Sequence, residues 1–311
     1  MAHMIETMAF AGETPWHGLG KRVIADLTPA QMLKEAQLDW TVEKRPLSFN
    51  QKNGTEVVTD HCALVRSSDE SVLSVVSNDW NPVQNETAFE FFQDFVMAGD
   101  MEMHTAGSIR EGRNVWALAK VKDSFEILGG DRVDSYLLFS NPHEYGKCID
   151  IRFTPIRVVC NNTLTLALGN RSDLMVRLNH RREFDSAMVK QTLGIAQTKM
   201  GNYKEMAEFL ASREYNDKTV VEYLKEVFPS ASKKEEKLSR PAQTAFSVLE
   251  TQPGSEFGKN SWWQAFNAVT FSTDHLFGRS QETRLQSSWY GVNRQKKIAA
   301  LEKAVEYAEA A

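Results

Sequence analysis

The 311-residue chain is poor in the features that most readily announce a chemistry. It has three cysteines, Cys62, Cys148 and Cys160, odd in number and widely spaced. That excludes a disulfide framework and points to reduced, buried thiols in a cytoplasmic protein. There is no Cys-x-x-Cys or His-Glu-x-x-His, and the seven histidines are scattered. Asp60-His61-Cys62 and His143-Glu144 are the only local groups of ligand types, and neighbours on a strand point to opposite faces. No Gly-x-Ser-x-Gly elbow singles out a nucleophile. The stretch Gly254-Ser255-Glu256-Phe257-Gly258-Lys259-Asn260 is one residue short of a phosphate loop and lacks its magnesium-binding Ser or Thr. No apolar run approaches the roughly 18–20 residues of a membrane helix. The opening MAHMIETMAFAGETPWHGLG lacks the charged and apolar regions of a secretory signal. No metal, nucleotide or other cofactor is therefore expected. Positive charge is also scarce: 36 Lys and Arg against 41 Asp and Glu leave a net charge of −5. That argues against unselective coating of DNA but not against a local basic groove.

What is present reads as a soluble globular protein, with 42% hydrophobic and 25% charged residues, long enough for one large domain or two ordinary ones. Thr14-Pro15-Trp16-His17-Gly18-Leu19-Gly20 is a turn-rich opening in which Trp16 and His17 are either ligand contacts or an arm pinned by a buried Trp. Thr28-Pro29-Ala30-Gln31 is a capping box that starts a helix ending near 36–38. Residues 40–47 alternate, Lys52-Asn53-Gly54 turns the chain, and 56–65 return as a second strand. Residues 71–76 are another strand. Residues 85–97 have apolar groups at helix spacing, with Asn85 as candidate N-cap and Gly99 as the stop. Strands follow at 101–108, 114–121 and 132–139, linked by Arg110-Glu111-Gly112-Arg113 and Leu128-Gly129-Gly130. Beyond residue 182 the pattern is helical: 184–213, 217–227 with an Asp cap, 242–250, an aromatic-rich 260–276, and 283–310. Residues 230–237 read as a flexible charged loop. The expected fold class is α+β, with residues 1–182 a strand-rich core plus N-terminal arm and 183–311 a helical region.

The stretch from Cys148 to Arg182, CIDIRFTPIRVVCNNTLTLALGNRSDLMVRLNHRR, stands out. Ile149, Ile151 and Phe153 share one strand face, and Asp150, Arg152 and Thr154 the other. Pro155 punctuates. From Arg152 to Lys199 six Arg and two Lys face Asp173, Glu183 and Asp185, a net of +5 that leaves −10 for the rest. A guanidinium fork suits phosphate oxygens. The arginines serve either such a groove or carboxylates of the helical half or a neighbouring subunit. Trp262 and Trp263 either stack bases or pack as core.

Gly12-Glu13-Thr14-Pro15-Trp16-His17-Gly18-Leu19-Gly20 and Phe153-Thr154-Pro155-Ile156-Arg157-Val158-Val159-Cys160-Asn161-Asn162-Thr163-Leu164 resemble a phage- and plasmid-borne family catalogued as a domain of unknown function. The resemblance covers roughly residues 1–210 and continues weakly to the end. Its turn Pro142-His143-Glu144-Tyr145-Gly146-Lys147 departs from the smaller Gly/Ser-type turn of relatives. The family looks like a remote branch of the single-strand annealing proteins, which implies a curved, mainly antiparallel sheet with a packed helix. It also implies a ring- or filament-forming homo-oligomer in the bacterial host cytoplasm. Such a protein is no enzyme: it anneals complementary DNA strands without ATP during recombination and repair, beside a phage exonuclease or host single-strand-binding protein.

The DNA contacts this implies are Arg152, Arg157, Asn161, Asn162, Arg171, Arg177, Arg181 and Arg182, with Arg110, Arg113 and Lys147 outlying. The competing classes are an early-expressed enzyme or counter-defence protein, for which Trp16, His17 and His143 are the residues to examine, and a virion scaffold. Neutralising Arg152 and Arg157 together is expected to weaken oligonucleotide binding and flatten its salt dependence, read by titration at several salt concentrations.

Overall fold

The computed structural model describes residues 5–12, 19–157, 162–163, 175–181, 184–230 and 237–311. Trp16, His17, Asn161, Arg171, Arg182 and most of the 230–237 loop lie outside these.

β1 (Ile5–Ala11) and β2 (Lys21–Val23) pair in parallel, and neither is legible in the turn-rich opening. α1 (Pro29–Glu35) begins on the expected capping box: Thr28 Oγ1 accepts from the Gln31 amide at 3.3 Å, and Gln31 Oε1 accepts from the Thr28 amide at 2.9 Å. β3 (Val42–Asn50), β4 (Glu56–Arg66) and β5 (Val72–Ser77) form a three-stranded antiparallel sheet. Its first turn uses Gly54 at φ +86°, a conformation that costs glycine little.

The single helix expected over 85–97 is two short ones, α2 (Asn85–Glu90) and α3 (Gln93–Met97). Asn85 is not the cap, a position held by Gln84. Asn85 is buried, and its amide donates to the carbonyls of Leu38 at 3.0 Å and Trp40 at 3.3 Å. A buried amide needs such partners, and they tie α2 to the chain leaving α1.

β6 (Met101–Ile109), β7 (Asn114–Ile127), β8 (Asp131–Pro142) and β9 (Ile149–Arg157) form an antiparallel meander. β10 (Asn162–Thr163) and β11 (Met175–Leu178) both pair with β9, and the open sheet runs β10-β9-β8-β7-β6-β1-β2 with β11 beside β9. Pro155 does not end the strand. It lies in β9 between the residues paired with β11 and those paired with β10, an edge position where a missing N–H is tolerated. Gly107 lets β1 approach β6, since a Cβ there would meet the Thr7 carbonyl at 2.5 Å.

The helical half comprises α4 (Ser186–Ala211), α5 (Asp217–Val227), α6 (Arg240–Ser247), α7 (Trp262–Phe271), a π-helical turn Ser272–Leu276, α8 (Gln281–Tyr290) and α9 (Val292–Glu309). Asn216 rather than Asp217 caps α5, accepting from the Lys218 and Thr219 amides at 3.0 Å. The expected last helix is broken at Gly291, where a Cβ would lie 3.0 Å from the Ser287 Cα.

The α+β expectation holds: a mainly antiparallel open sheet followed by helices. One sheet face packs with α1, α2, α3 and the small sheet around Met32, Leu64, Phe89, Phe92, Ile151 and Phe153. The other face carries Trp116, Leu118, Tyr136 and Leu138 against Leu285 and Trp289 of α8. Each such large side chain contributes about 2 kcal/mol by leaving water. The far ends of β7 and β8 place Ile127 and Val133 in the helical core with Trp262 and Trp263. Both tryptophans are core, and Trp263 Nε1 donates to Asp131 at 2.8 Å.

Three histidines are held as neutral rings, His143 and His180 buried and His104 partly buried. Desolvation pushes His143 down to about 3 and His104 and His180 down to about 4. His143 Nε2 donates to Asn85 Oδ1 at 3.0 Å, the amide nitrogen of Asn85 being already committed as donor. Above pH ~6.5 neither the folded nor the unfolded rings carry protons. Below it the unfolded chain takes up protons that the folded chain refuses, so stability falls as pH drops through that value. Urea unfolding between pH 7 and 5 is expected to show a decline of up to about 1.4 kcal/mol per pH unit for each histidine. The decline should shrink in His143→Gln, and a flat wild-type profile would contradict the burial.

Candidate nucleic-acid interface

Arg152 is the first test of the basic stripe, and it is not on the surface. The face of β9 opposite Ile149, Ile151 and Phe153 is covered by α8, which leaves Arg152 7% exposed. One guanidinium nitrogen donates to the Trp289 carbonyl at 2.5 Å and another to Asp150 at 3.2 Å, while its carbon sits 5.6 Å from the Tyr290 ring centre. Trp289 belongs to the last turn of α8, whose carbonyls lack intrahelical donors. A cation is favoured at that negative helix end. Arg152 therefore joins the sheet to the C-terminal helices and is withdrawn from the proposed DNA contacts. Burial pushes the Tyr290 hydroxyl beside it up to about 12.

A second buried charge lies on the same helices. Asp274, in the π-helical turn, accepts from Lys297 Nζ at 2.9 Å and from Ser288 Oγ at 2.6 Å. Burial lowers the Lys297 amine, and Asp274 opposes that shift. The group ties the turn to α8 and α9 and is closed to solvent.

The outlying candidates come together instead. The 110–113 turn and the 142–147 turn are joined by the Arg113 carbonyl accepting from the His143 amide at 2.8 Å. Arg110 grips Glu144 through two nitrogens at 2.6 and 3.0 Å, so its charge is spent internally. Arg113 is half-buried, 3.9 Å from Glu111. Lys147 is exposed, as is Tyr145 at 65%. The Tyr145 amide donates to Ser74 Oγ at 3.1 Å, which places this turn against β5.

Lys147 leads into β9, whose Ile149 opposes Leu178 of β11. Arg177, paired opposite Asp150, is exposed on the sheet face away from Leu178. Arg181 follows three residues after the strand, exposed, with Nε 3.1 Å from Asp79. Lys44 of β3 reaches the Asn78 carbonyl at 2.6 Å on the other side of the same loop. Lys147 enters β9 from the turn that touches β5, and Arg177 stands on the edge strand β11 with its side chain on the opposite sheet face. Lys44 and Arg181 flank the 77–81 loop beside the small sheet, with Asp79 as the carboxylate paired to Arg181; these four cations are called the rim. Such exposed pairs are weak and readily exchanged for a phosphate partner.

The turn carrying Arg181 is seated by its neighbour. The His180 ring stacks on Trp80 with centroids 4.0 Å apart and planes 20° apart. Its Nδ1 donates to the Asn81 carbonyl at 3.3 Å, while the His180 carbonyl accepts from the Asn81 amide at 2.7 Å.

Of the remaining candidates, Arg157 closes β9 and Asn162 opens β10, paired opposite one another. Asn161, Arg171 and Arg182 lie outside the described residues. Sequence reasoning missed Lys44 and Tyr145, which carry no local signal: each joins the rim only through the packing of the small sheet. His143, weighed as an enzymatic residue, is fully buried. Among the described residues no group of three or more His, Cys, Asp or Glu is placed to hold a metal, and no helix is long and apolar enough to cross a membrane.

Fold and rim together define an α+β protein with an open sheet, a helical C-terminal region and a basic edge. The chain belongs to the family described as Domain of unknown function (DUF932), whose profile matches residues 72–297. That span contains the central motif and excludes the glycine-rich opening, so it is shifted toward the C-terminus from the 1–210 expected. No curated protein and no solved structure matches the chain.

The internal role of Arg152 has a measurable consequence. Arg152→Ala is expected to lower unfolding stability by about 3 kcal/mol, because it leaves Asp150 and a helix-end carbonyl buried without their partner. Arg181→Ala should change stability by less than about 0.5 kcal/mol. Urea titrations of the two variants check the contrast.

Proposed function

We propose that this chain binds single-stranded DNA along the rim and anneals complementary strands without nucleotide, acting as an oligomer during recombination. The observation that carries the reading is that segments far apart in sequence bring Lys44 and Arg181 to one loop of the small sheet, with Tyr145 and Lys147 on the turn against β5 and Arg177 on the adjoining edge strand. Cations space out along a phosphate chain, while an exposed ring offers a base a stacking face. Annealing breaks no covalent bond. It requires phosphates to be held while base edges stay free to test a second strand.

The rim is small. Four cations at about 0.7 counterions each give a shallow salt slope and weak binding for one subunit. Repetition of the rim around an assembly would raise affinity without making the chain basic, which is compatible with a net charge of −5. The two sequence motifs, whose family looks like a remote branch of the annealing proteins, motivate the same reading, although the family match itself names no function.

The test mixes the protein with two complementary labelled oligonucleotides in the absence of ATP and follows duplex formation by fluorescence quenching. Negative-stain microscopy looks for rings or filaments in parallel. Wild type should accelerate annealing. The triple variant Lys147→Ala/Arg177→Ala/Arg181→Ala should stay folded, bind less and lose about 2 from the log–log salt slope. A wild-type chain that neither binds nor anneals would refute the proposal.

A further inference from the structure

We propose that His180 is a positioning residue: its stack on Trp80 and its paired bonds with Asn81 set the basic rim in register. The inference rests on the nucleic-acid reading above and names the device that makes it work. Long exposed cations are loose, so their usefulness depends on how firmly their backbone is held.

β11 ends at Leu178, and the next three residues carry the turn. Asn179 Oδ1 accepts from the Arg181 amide at 3.0 Å, and His180 makes the stack and the two Asn81 bonds. The receiving loop is held just as firmly. The Trp80 amide donates to the Ser77 carbonyl at 3.0 Å, and the Asn78 amide donates to the Asp60 carbonyl at 3.1 Å. Asp79 is bound by Ser77 and faces Arg181, and Asn78 accepts from Lys44. One side chain, His180, thus joins the edge of the large sheet to the small sheet, with Arg181 and Lys44 on either side of the junction.

Among the described residues, His143, just past the end of β8, acts on the ring electrostatically, and the paired Asp79 and Arg181 adjoin Trp80 and His180 in the chain. The ring also lies against the Pro142 carbonyl, though its Nε2 makes no hydrogen bond of good geometry. Seated there it is neutral, with burial pushing it down to about 4. Released, it takes up a proton below about pH 6.5, so acid favours opening of the clasp. Binding should therefore weaken on mild acidification, against the usual trend for a polyanion.

The experiment measures binding of the full chain to a fluorescein-labelled oligothymidylate by anisotropy, across salt and from pH 7 to 5. His180→Ala should weaken binding roughly five- to twenty-fold and make the salt slope shallower by about 1.4, the loss of two phosphate contacts. His180→Phe keeps a stacking ring and cannot titrate. It should retain the wild-type slope at pH 7 and lose the acid-induced weakening. A folded His180→Ala with wild-type affinity and slope overturns the inference. If that variant does not fold, His180→Phe decides: an acid response equal to wild type overturns the inference, and its disappearance upholds it. A wild-type chain that does not bind overturns both this inference and the function it rests on. Wild-type binding that responds to Arg181→Ala but not to His180→Ala overturns this inference alone.

Discussion

The rest of the structure depends on a cation placed where water cannot reach it. Burying a guanidinium costs several kcal/mol unless its donors are matched. Arg152 is matched by the last-turn carbonyl of α8, by Asp150 on its own strand and by the face of Tyr290. The contact fixes α8 against the back of the sheet. It thereby helps bury both sides of β9, the strand richest in sequence signal, from Ile151 to Ile156.

Once the faces are covered, the edges remain. An open sheet has two, and at the β9–β11 edge the chain collects charge from the 142–147 turn, from β11 and from the small sheet. Two carboxylates there are engaged by buried or half-buried arginines, Glu144 with Arg110 and Asp150 with Arg152, which leaves Asp79 facing Arg181. The edge is therefore more positive than a chain with a net charge of −5 suggests. Burial of Arg152 thus moves the candidate site outward without abolishing it.

Buried polar groups recur at the joints between layers. Asn85 and His143 link α2 to the end of β8, His180 links β11 to the small sheet, and Asp274 with Lys297 links the π-helical turn to α9. Each leaves an uncompensated group behind if its joint opens, so each specifies one arrangement of the layers more sharply than apolar contact would.

Much of the fold was legible locally. The capping box of α1, the Gly54 hairpin, the period-two strands of the meander and the aromatic run of α7 are set by short-range rules: cap geometry, glycine's freedom and the alternation of side chains. Arginine chemistry was legible as well, but not its address. Whether Arg152 meets phosphate or a helix end depends on α8, more than a hundred residues away. Likewise Asn85 reads as a cap until the chain near Leu38 folds over it, and the break at Gly291 is one where any side chain would crowd Ser287. Lys44 and Tyr145 are ordinary surface residues until two sheets meet. The sequence alone determined most of the strands and helices, because those choices rest on neighbours within a few residues; β1, β2, β11 and the breaks inside two expected helices are exceptions. Only the tertiary structure decided which charges are buried and which face solvent, because the cost of desolvating a charge depends on what packs over it.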